Sequence, residues 1–164
     1  MIELTDAALK KLNTCTPVLQ AFIHYLAGMS PMAFTVTDGF RGKEEQNKAF
    51  KEGKSQLQWP DSAHNKQSKI ISGPLIGHLK PDSQAVDLAP VTFHEGHMII
   101  EWTNEIQWYH LAGIVRAASL IYFNIITFNK YKIRWGGDWN DDGILNDQSF
   151  YDLEHFELIE LKED

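Results

Sequence analysis

Residues able to ligate a metal occur in three short runs that lie far apart in the chain: Ser62-Ala-His64, Ala85-Val-Asp87 and Asp152-Leu-Glu-His155. No single helix or tight turn spans such separations, so the fold must bring distant segments to one point if these residues act together. The inventory gives a reason to expect that. A hydrolytic zinc needs three protein ligands, an open position for water and a nearby base to take that water's proton. His64, Asp87 and His155 can be the ligands and Asp152 the base.

A chain of 164 residues fits one domain, 1–164, able to bury roughly two thirds of the surface its unfolded form exposes. Its 15 Lys and Arg stand against 22 Asp and Glu, a net charge of −7, which opposes a sequence-independent grip on nucleic acid phosphates. Bound divalent cations can offset some of that acidity. Cys15 is alone, which excludes an internal disulfide and a cysteine zinc cluster and leaves a small buried apolar residue in a helical pattern. The start Met1-Ile-Glu-Leu-Thr-Asp6 lacks a basic stretch followed by an apolar run, and no segment is expected to reach the roughly 18 apolar residues of a membrane span. Cytosolic synthesis without signal-directed export or membrane insertion is the expectation.

Behind Thr5 or Asp6 as N-cap, Leu9, Leu12, Val18, Leu19, Phe22, Ile23 and Leu26 recur at helical spacing, with a break near Pro17 and an end near Gly28. Met32 to Thr37 reads as a short strand, and Lys43 to Glu52 as a polar helix closed by Gly53. Arg41 lies between them. From Lys54 to Pro90 the chain is rich in Ser, Gly, Pro, Asp and Gln with no sustained period, and reads as a long functional loop or an insertion. A second long helix is expected from about Thr103 to Tyr122. Tyr131, Ile133 and Trp135 then alternate with Lys132 and Arg134, a strand running into Gly136-Gly137.

The runs Gly39-Phe-Arg41, Gly53-Lys-Ser55, Trp59-Pro-Asp-Ser62-Ala-His64-Asn65, Ala85-Val-Asp87-Leu-Ala-Pro90, Ile133-Arg-Trp-Gly-Gly-Asp138-Trp and Asp152-Leu-Glu-His155-Phe-Glu-Leu occur in this order over nearly the whole chain. Together they resemble the zinc peptidases of the DD-carboxypeptidase/LD-endopeptidase group, and more narrowly the phage endolysins that cut the L-Ala-D-Glu bond of peptidoglycan stems. That resemblance implies a small α+β fold of the hedgehog/DD-peptidase type, with an antiparallel sheet carrying the zinc. It implies His64, Asp87 and His155 as Zn²⁺ ligands, Asp152 as base and Arg41 facing the scissile carbonyl oxygen. Bacterial peptidoglycan is then the expected partner of a monomer made in the host cytoplasm, which acts on the wall after release across the inner membrane. A D-Ala-D-Ala carboxypeptidase and a noncatalytic zinc or calcium binding module of the same fold stay open as alternatives.

The chain departs from that family in one spacing. The first histidine and aspartate there lie fewer than ten positions apart, whereas the 22 residues from Asn65 to Val86 separate His64 from Asp87. An insertion within 65–86 accounts for the difference and leaves His78, nine positions before Asp87, as a rival ligand. The Ser62-x-His64 pattern favours His64, with His78 as a loop residue near the cleft that touches substrate. Ser62 and Gln46 are further candidates for orienting substrate.

Other features weigh less. His94-Glu-Gly-His97 is one residue short of the helical zinc motif H-E-x-x-H and reads as a surface turn. His24 and His110 fall in helical segments as packing or surface residues. Glu154, between Asp152 and His155, is expected to point away. Asp138-Trp-Asn140-Asp-Asp142-Gly143 matches the opening of a calcium loop, although its twelfth position is Ser149 and not Glu. Asn146 or Asp147 would have to complete the shell. Ca²⁺ held there would order the segment that leads to Asp152 and His155.

Overall fold

The computed structural model describes residues 2–162. Thr5 caps helix α1 (Asp6–Leu12), its side chain accepting the Ala8 N–H. Pro17 opens α2 (Pro17–Met29) at its first position, where a missing N–H leaves nothing unpaired. The break expected near Pro17 therefore divides two separate helices. Strand β1 (Phe34–Asp38) and helix α3 (Lys43–Lys51) follow, then a single 3₁₀ turn at Ala63–Asn65.

The stretch expected to be one long loop contains regular structure. Strands β2 (Gln67–Lys69) and β3 (Leu79–Pro81) pair as a hairpin. Its ends meet, because the Asp82 N–H donates to the Lys66 carbonyl and the Gln84 N–H to the Ala63 carbonyl, each at 3.0 Å. The separation between His64 and Asp87 is thus folded outward, and the chain re-enters the body beside the turn it left. Strand β4 (Ala85–Pro90) comes next, buried along its whole length. A second hairpin joins β5 (Thr92–His94) to β6 (His97–Ile99) through Glu95 and Gly96, both at positive φ. His94-Glu-Gly-His97 is that turn, as its sequence indicates.

Helix α4 (Glu105–Thr127) leads to β7 (Tyr131–Trp135), and β8 (His155–Glu160) ends the fold. The main sheet is antiparallel in the order β1-β4-β8-β7. Period-two alternation gives it two unlike faces. Phe34, Val36, Val86, Leu88, Ile133, Trp135, Phe156 and Leu158 join the core with Leu19, Phe22, Leu26, Leu111 and Val115 of α2 and α4. Asp87, His155, Glu157 and Arg134 occupy the alternate positions on their strands. One sheet thus carries a dry core on one side and a polar row on the other. Cys15 is buried here, and burial, with Asp87 adding to it, pushes its thiol up to about 12.

Helix α4 corrects the expectation about membrane spans. It is long and apolar enough to cross a membrane by length and composition, with about a third of its apolar window buried in the fold. Apolar residues on its outer side, among them Leu120, Ile121 and Ile125, raise its hydropathy beyond what the core needs. His24 and His110 lie exposed on α2 and α4.

Between β7 and β8, Gly136 holds the chain at both ends of the last ligand run. Its N–H donates to the His155 carbonyl (2.9 Å) and its carbonyl accepts the Asp152 N–H (3.0 Å). The His155 N–H donates to the Asp152 carbonyl at 3.1 Å, so Asp152-Leu-Glu-His155 is a closed turn that brings its first and fourth residues together. A Cβ on Gly136 would lie 2.4 Å from the Asp152 oxygen, whereas one on Gly113, in α4, would meet nothing within 4 Å. Gly136→Ala should therefore destabilise the protein by about 1–3 kcal/mol, and Gly113→Ala should stabilise it by about 0.5–1 kcal/mol. Denaturant melts of the two variants check this, and equal effects would contradict the packing described.

Candidate metal centre and active site

Register across the sheet assembles the site. Asp87 on β4 lies opposite His155 on β8, and Asp38 at the end of β1 is paired with Asp87. Directly opposed residues on one face are close neighbours, so three acidic or basic side chains form a row. His64 comes from the 3₁₀ turn outside the sheet. Ser62 accepts the His64 N–H in its side chain (3.3 Å), and the Arg41 N–H donates to the His64 carbonyl (3.0 Å). The bend carrying Arg41 passes against α1 at Gly39, where a Cβ would stand 2.4 Å from the Lys11 carbonyl oxygen.

His64 Nε2 is 3.0 Å from Asp87 Oδ1 and 3.0 Å from His155 Nδ1, and His155 Nδ1 is 3.3 Å from the same Asp87 oxygen. These three residues form a group that could hold a metal ion, and all are buried. The donors suit a catalytic zinc. Four-coordinate bonds of 2.0–2.1 Å set ligand atoms about 3.3 Å apart, close to the separations here. Each ligand is also fixed from behind, as metal ligands need to be. His64 Nδ1–H donates to the Gly39 carbonyl, which turns Nε2 inward. His155 Nε2 faces Glu157 (3.4 Å), itself bound by Arg134 Nε–H (2.6 Å). Asp87 Oδ2 accepts from Arg41 Nη2 at 3.0 Å.

The charges are strongly coupled. Burial works against ionised Asp87, yet the two imidazoles hold it well below the usual carboxylate range. Burial also opposes a charged His155, but hydrogen bonds to Asp87 and Glu157 prevail and raise it to about 10. A metal entering this group must displace protons, as at other sites built from imidazoles. Asp152 is pushed up to about 6 by burial, with the charge of Asp87 adding to it. Glu154 is raised to about 7, again by burial first and then by Asp87 and Asp152.

A cleft of about 200 Å³ opens over the group, with His64, His155, Asp152, Arg41 and Ser62 in its lining. Glu154 is absent from that lining and accepts from Thr37 Oγ1 at 3.3 Å, so it points away as expected. Arg41 makes more contacts than its sequence position implies: Nε–H donates to Asp38 (3.0 Å), Nη2–H to Asp87 and Nη1–H to Gln46 (3.4 Å).

Two substrate candidates stand elsewhere. Gln46 is fully buried, its amide donating to Ser55 Oγ and the Leu57 carbonyl while its oxygen accepts from Arg41 and Asn65. It supports Arg41 from behind. His78 lies exposed near the tip of the β2–β3 hairpin, outside the cleft lining and outside the metal-capable group. Arg134, Glu157, Trp139 and Phe150 line the cleft but carry no role in the sequence reading. For Glu157 a signal existed, since the residue two beyond a strand ligand shares its face.

The loop expected to hold calcium is braced by protein donors. Asp138 is fully buried and its carboxylate accepts from Arg116 (3.0 Å) and from the N–H groups of Asp142 and Gly143. Asp141 pairs with Arg116 and Lys132. Asp142 accepts from Ile144 N–H and, like Asp147, from the Asn140 amide. The Asp138, Asp141 and Asp142 carboxylates are thus all engaged by protein donors.

Comparison with known proteins agrees with this geometry. The family described as phage L-alanyl-D-glutamate peptidase matches residues 1–159. Among solved structures, the fold is similar to that of the L-Ala D-Glu endopeptidase ChiX of Serratia marcescens, with a TM-score of 0.62 and 21% identity over 97% of this chain and 90% of that one. No curated protein sequence matches the chain. Of the two cleavage specificities the sequence leaves open, the family match selects the L-Ala-D-Glu bond over terminal D-Ala, and it makes the chain an enzyme and not a bare binding module. With a fold, a metal-capable triad and a family match that point the same way, this chain belongs to the phage L-alanyl-D-glutamate peptidases.

Proposed function

We propose that this peptidase is a zinc-dependent endolysin in which His64, Asp87 and His155 hold Zn²⁺ and Asp152 is the catalytic base. The observation that carries this reading is the convergence of three buried ligand atoms, two of them on residues that line one cleft with Asp152. When bound, the ion would polarise the scissile carbonyl and lower the pKa of a water towards roughly 7. Asp152 takes a proton from the attacking water and returns it to the leaving amine of D-Glu. Its raised pKa of about 6 suits both steps, since a group near the working pH can accept and donate. Arg41 keeps Asp87 oriented and, with five N–H donors in its guanidinium, retains one for the developing oxyanion. Ser62 orients substrate at the cleft wall.

All ligands and Asp152 come from one chain, which supports action as a monomer and a single domain with the β2–β3 hairpin as its insertion. The enzyme is made in the host cytoplasm and meets its substrate, peptidoglycan, after release across the inner membrane. Digestion of purified peptidoglycan followed by mass spectrometry should yield free stems beginning with D-Glu and glycan bearing L-Ala. Loss of terminal D-Ala alone, or new reducing sugar ends, would contradict this activity. Asp152→Asn should keep its metal and lose at least ~10²-fold in turnover, while Glu154→Gln loses much less. Comparable losses in both would refute the choice of base. The activity should also rise with pH through the titration of Asp152, at or below about 6, because a nearby cation lowers a carboxyl pKa.

A further inference from the structure

A second depression, of about 210 Å³, lies on the other side of Asp152 and shares that residue with the catalytic cleft. Its wall is aromatic. Trp102 stacks on Trp108 with ring centroids 5.4 Å apart and 30° between planes, and Tyr151 and Leu153 complete the apolar lining. Trp108 belongs to the core at 4% exposure, whereas Trp102 is 60% exposed, so one face of its indole packs on Trp108 and the rest is open. The turn that presents it is well held. Trp108 Nε1–H donates to the Glu101 carbonyl (3.4 Å), and Asn104 donates from its side chain to Glu101 Oε2 (2.9 Å) and from its backbone to the Glu101 carbonyl (3.0 Å). Trp102 is not a lone exposed ring: with Tyr151 and Leu153 it forms one contiguous apolar wall beside the catalytic cleft, the kind of surface that marks a binding site.

We infer that the Trp102–Tyr151 depression is a saccharide subsite that receives the muramic acid ring of the substrate. The inference rests on cleavage of the L-Ala-D-Glu bond. In peptidoglycan the amino group of that alanine is joined to the lactyl group of N-acetylmuramic acid, so a pyranose stands one residue and one lactyl unit from the bond that breaks. Together these span about 7 Å, roughly the length of two residues, and the depression begins at Asp152, the group that handles the proton. A pyranose matches the lining, because its C–H face is apolar and its rim carries hydroxyl and N-acetyl groups. Asp152 and Glu154 border the depression and offer oxygens to that rim, while their charge disfavours an anionic occupant. The alanine methyl is too small to cover the open Trp102 indole, and the rest of the stem lies beyond the bond on its other side.

The test compares kcat/KM for GlcNAc-MurNAc-tetrapeptide and for the same tetrapeptide without sugar. Wild type should prefer the sugar-bearing substrate by roughly tenfold, about the effect of one aromatic stacking contact. Trp102→Ala should bring the ratio close to one, and Trp102→Phe, which keeps a ring, should retain part of it. The disaccharide without peptide should shift the Trp102 indole resonance in NMR spectra of the zinc-loaded protein. A wild-type ratio near one, or a ratio unchanged in Trp102→Ala, would overturn the subsite while leaving the peptidase intact. Failure of wild type to cut the L-Ala-D-Glu bond in either substrate would instead overturn the peptidase reading, and the subsite with it.

Discussion

The pairing of Asp87 with His155 across two antiparallel strands is the constraint on which this structure turns. Side chains alternate along a strand, so a slip of one residue in either strand would send its ligand into the core and bring Val86 or Phe156 to the polar face. The core prevents that slip. Val86, Leu88, Phe156 and Leu158 are buried against α2 and α4, so the apolar packing on one face holds the register of the polar row on the other. Stability and ligand geometry are thus two consequences of one alternation.

Around that pair the remaining groups are placed by backbone contacts more than by side-chain length. His64 is oriented through Gly39 and capped by Ser62, and Asp152 is held by the turn closed on Gly136. Such rigid support lets a site work without first collapsing around its substrate. Arg41 joins the two levels, since one guanidinium bonds to Asp38, Asp87 and Gln46 while bordering the cleft. Removing it would loosen a ligand as well as a wall of the cleft.

Much of this was readable in the residues. Strand β7 shows its alternation openly, and the helices show theirs. Strand β4 was hidden in an expected loop because Ala85 to Pro90 is buried on both faces and has no polar alternation to mark it. The β2–β3 hairpin was hidden for the opposite reason, being short and mostly exposed with no apolar face to give a period. At the acidic loop after Asp138 a spacing pattern does not reveal that Arg116, on a distant helix, pairs with the first carboxylate. The support that Gln46 gives Arg41 was equally hidden. The burial of Gln46 depends on Ser55, Leu57 and Asn65, which no local pattern connects to it.

X-ray absorption at the zinc edge of the purified, zinc-loaded protein tests the centre most directly. The account predicts one ion per chain with two imidazole nitrogens and one carboxylate oxygen at about 2.0–2.2 Å, plus an oxygen from solvent, and loss of that signature in His64→Ala but not in His78→Ala. A shell without imidazole, or an unchanged shell in His64→Ala, would contradict it.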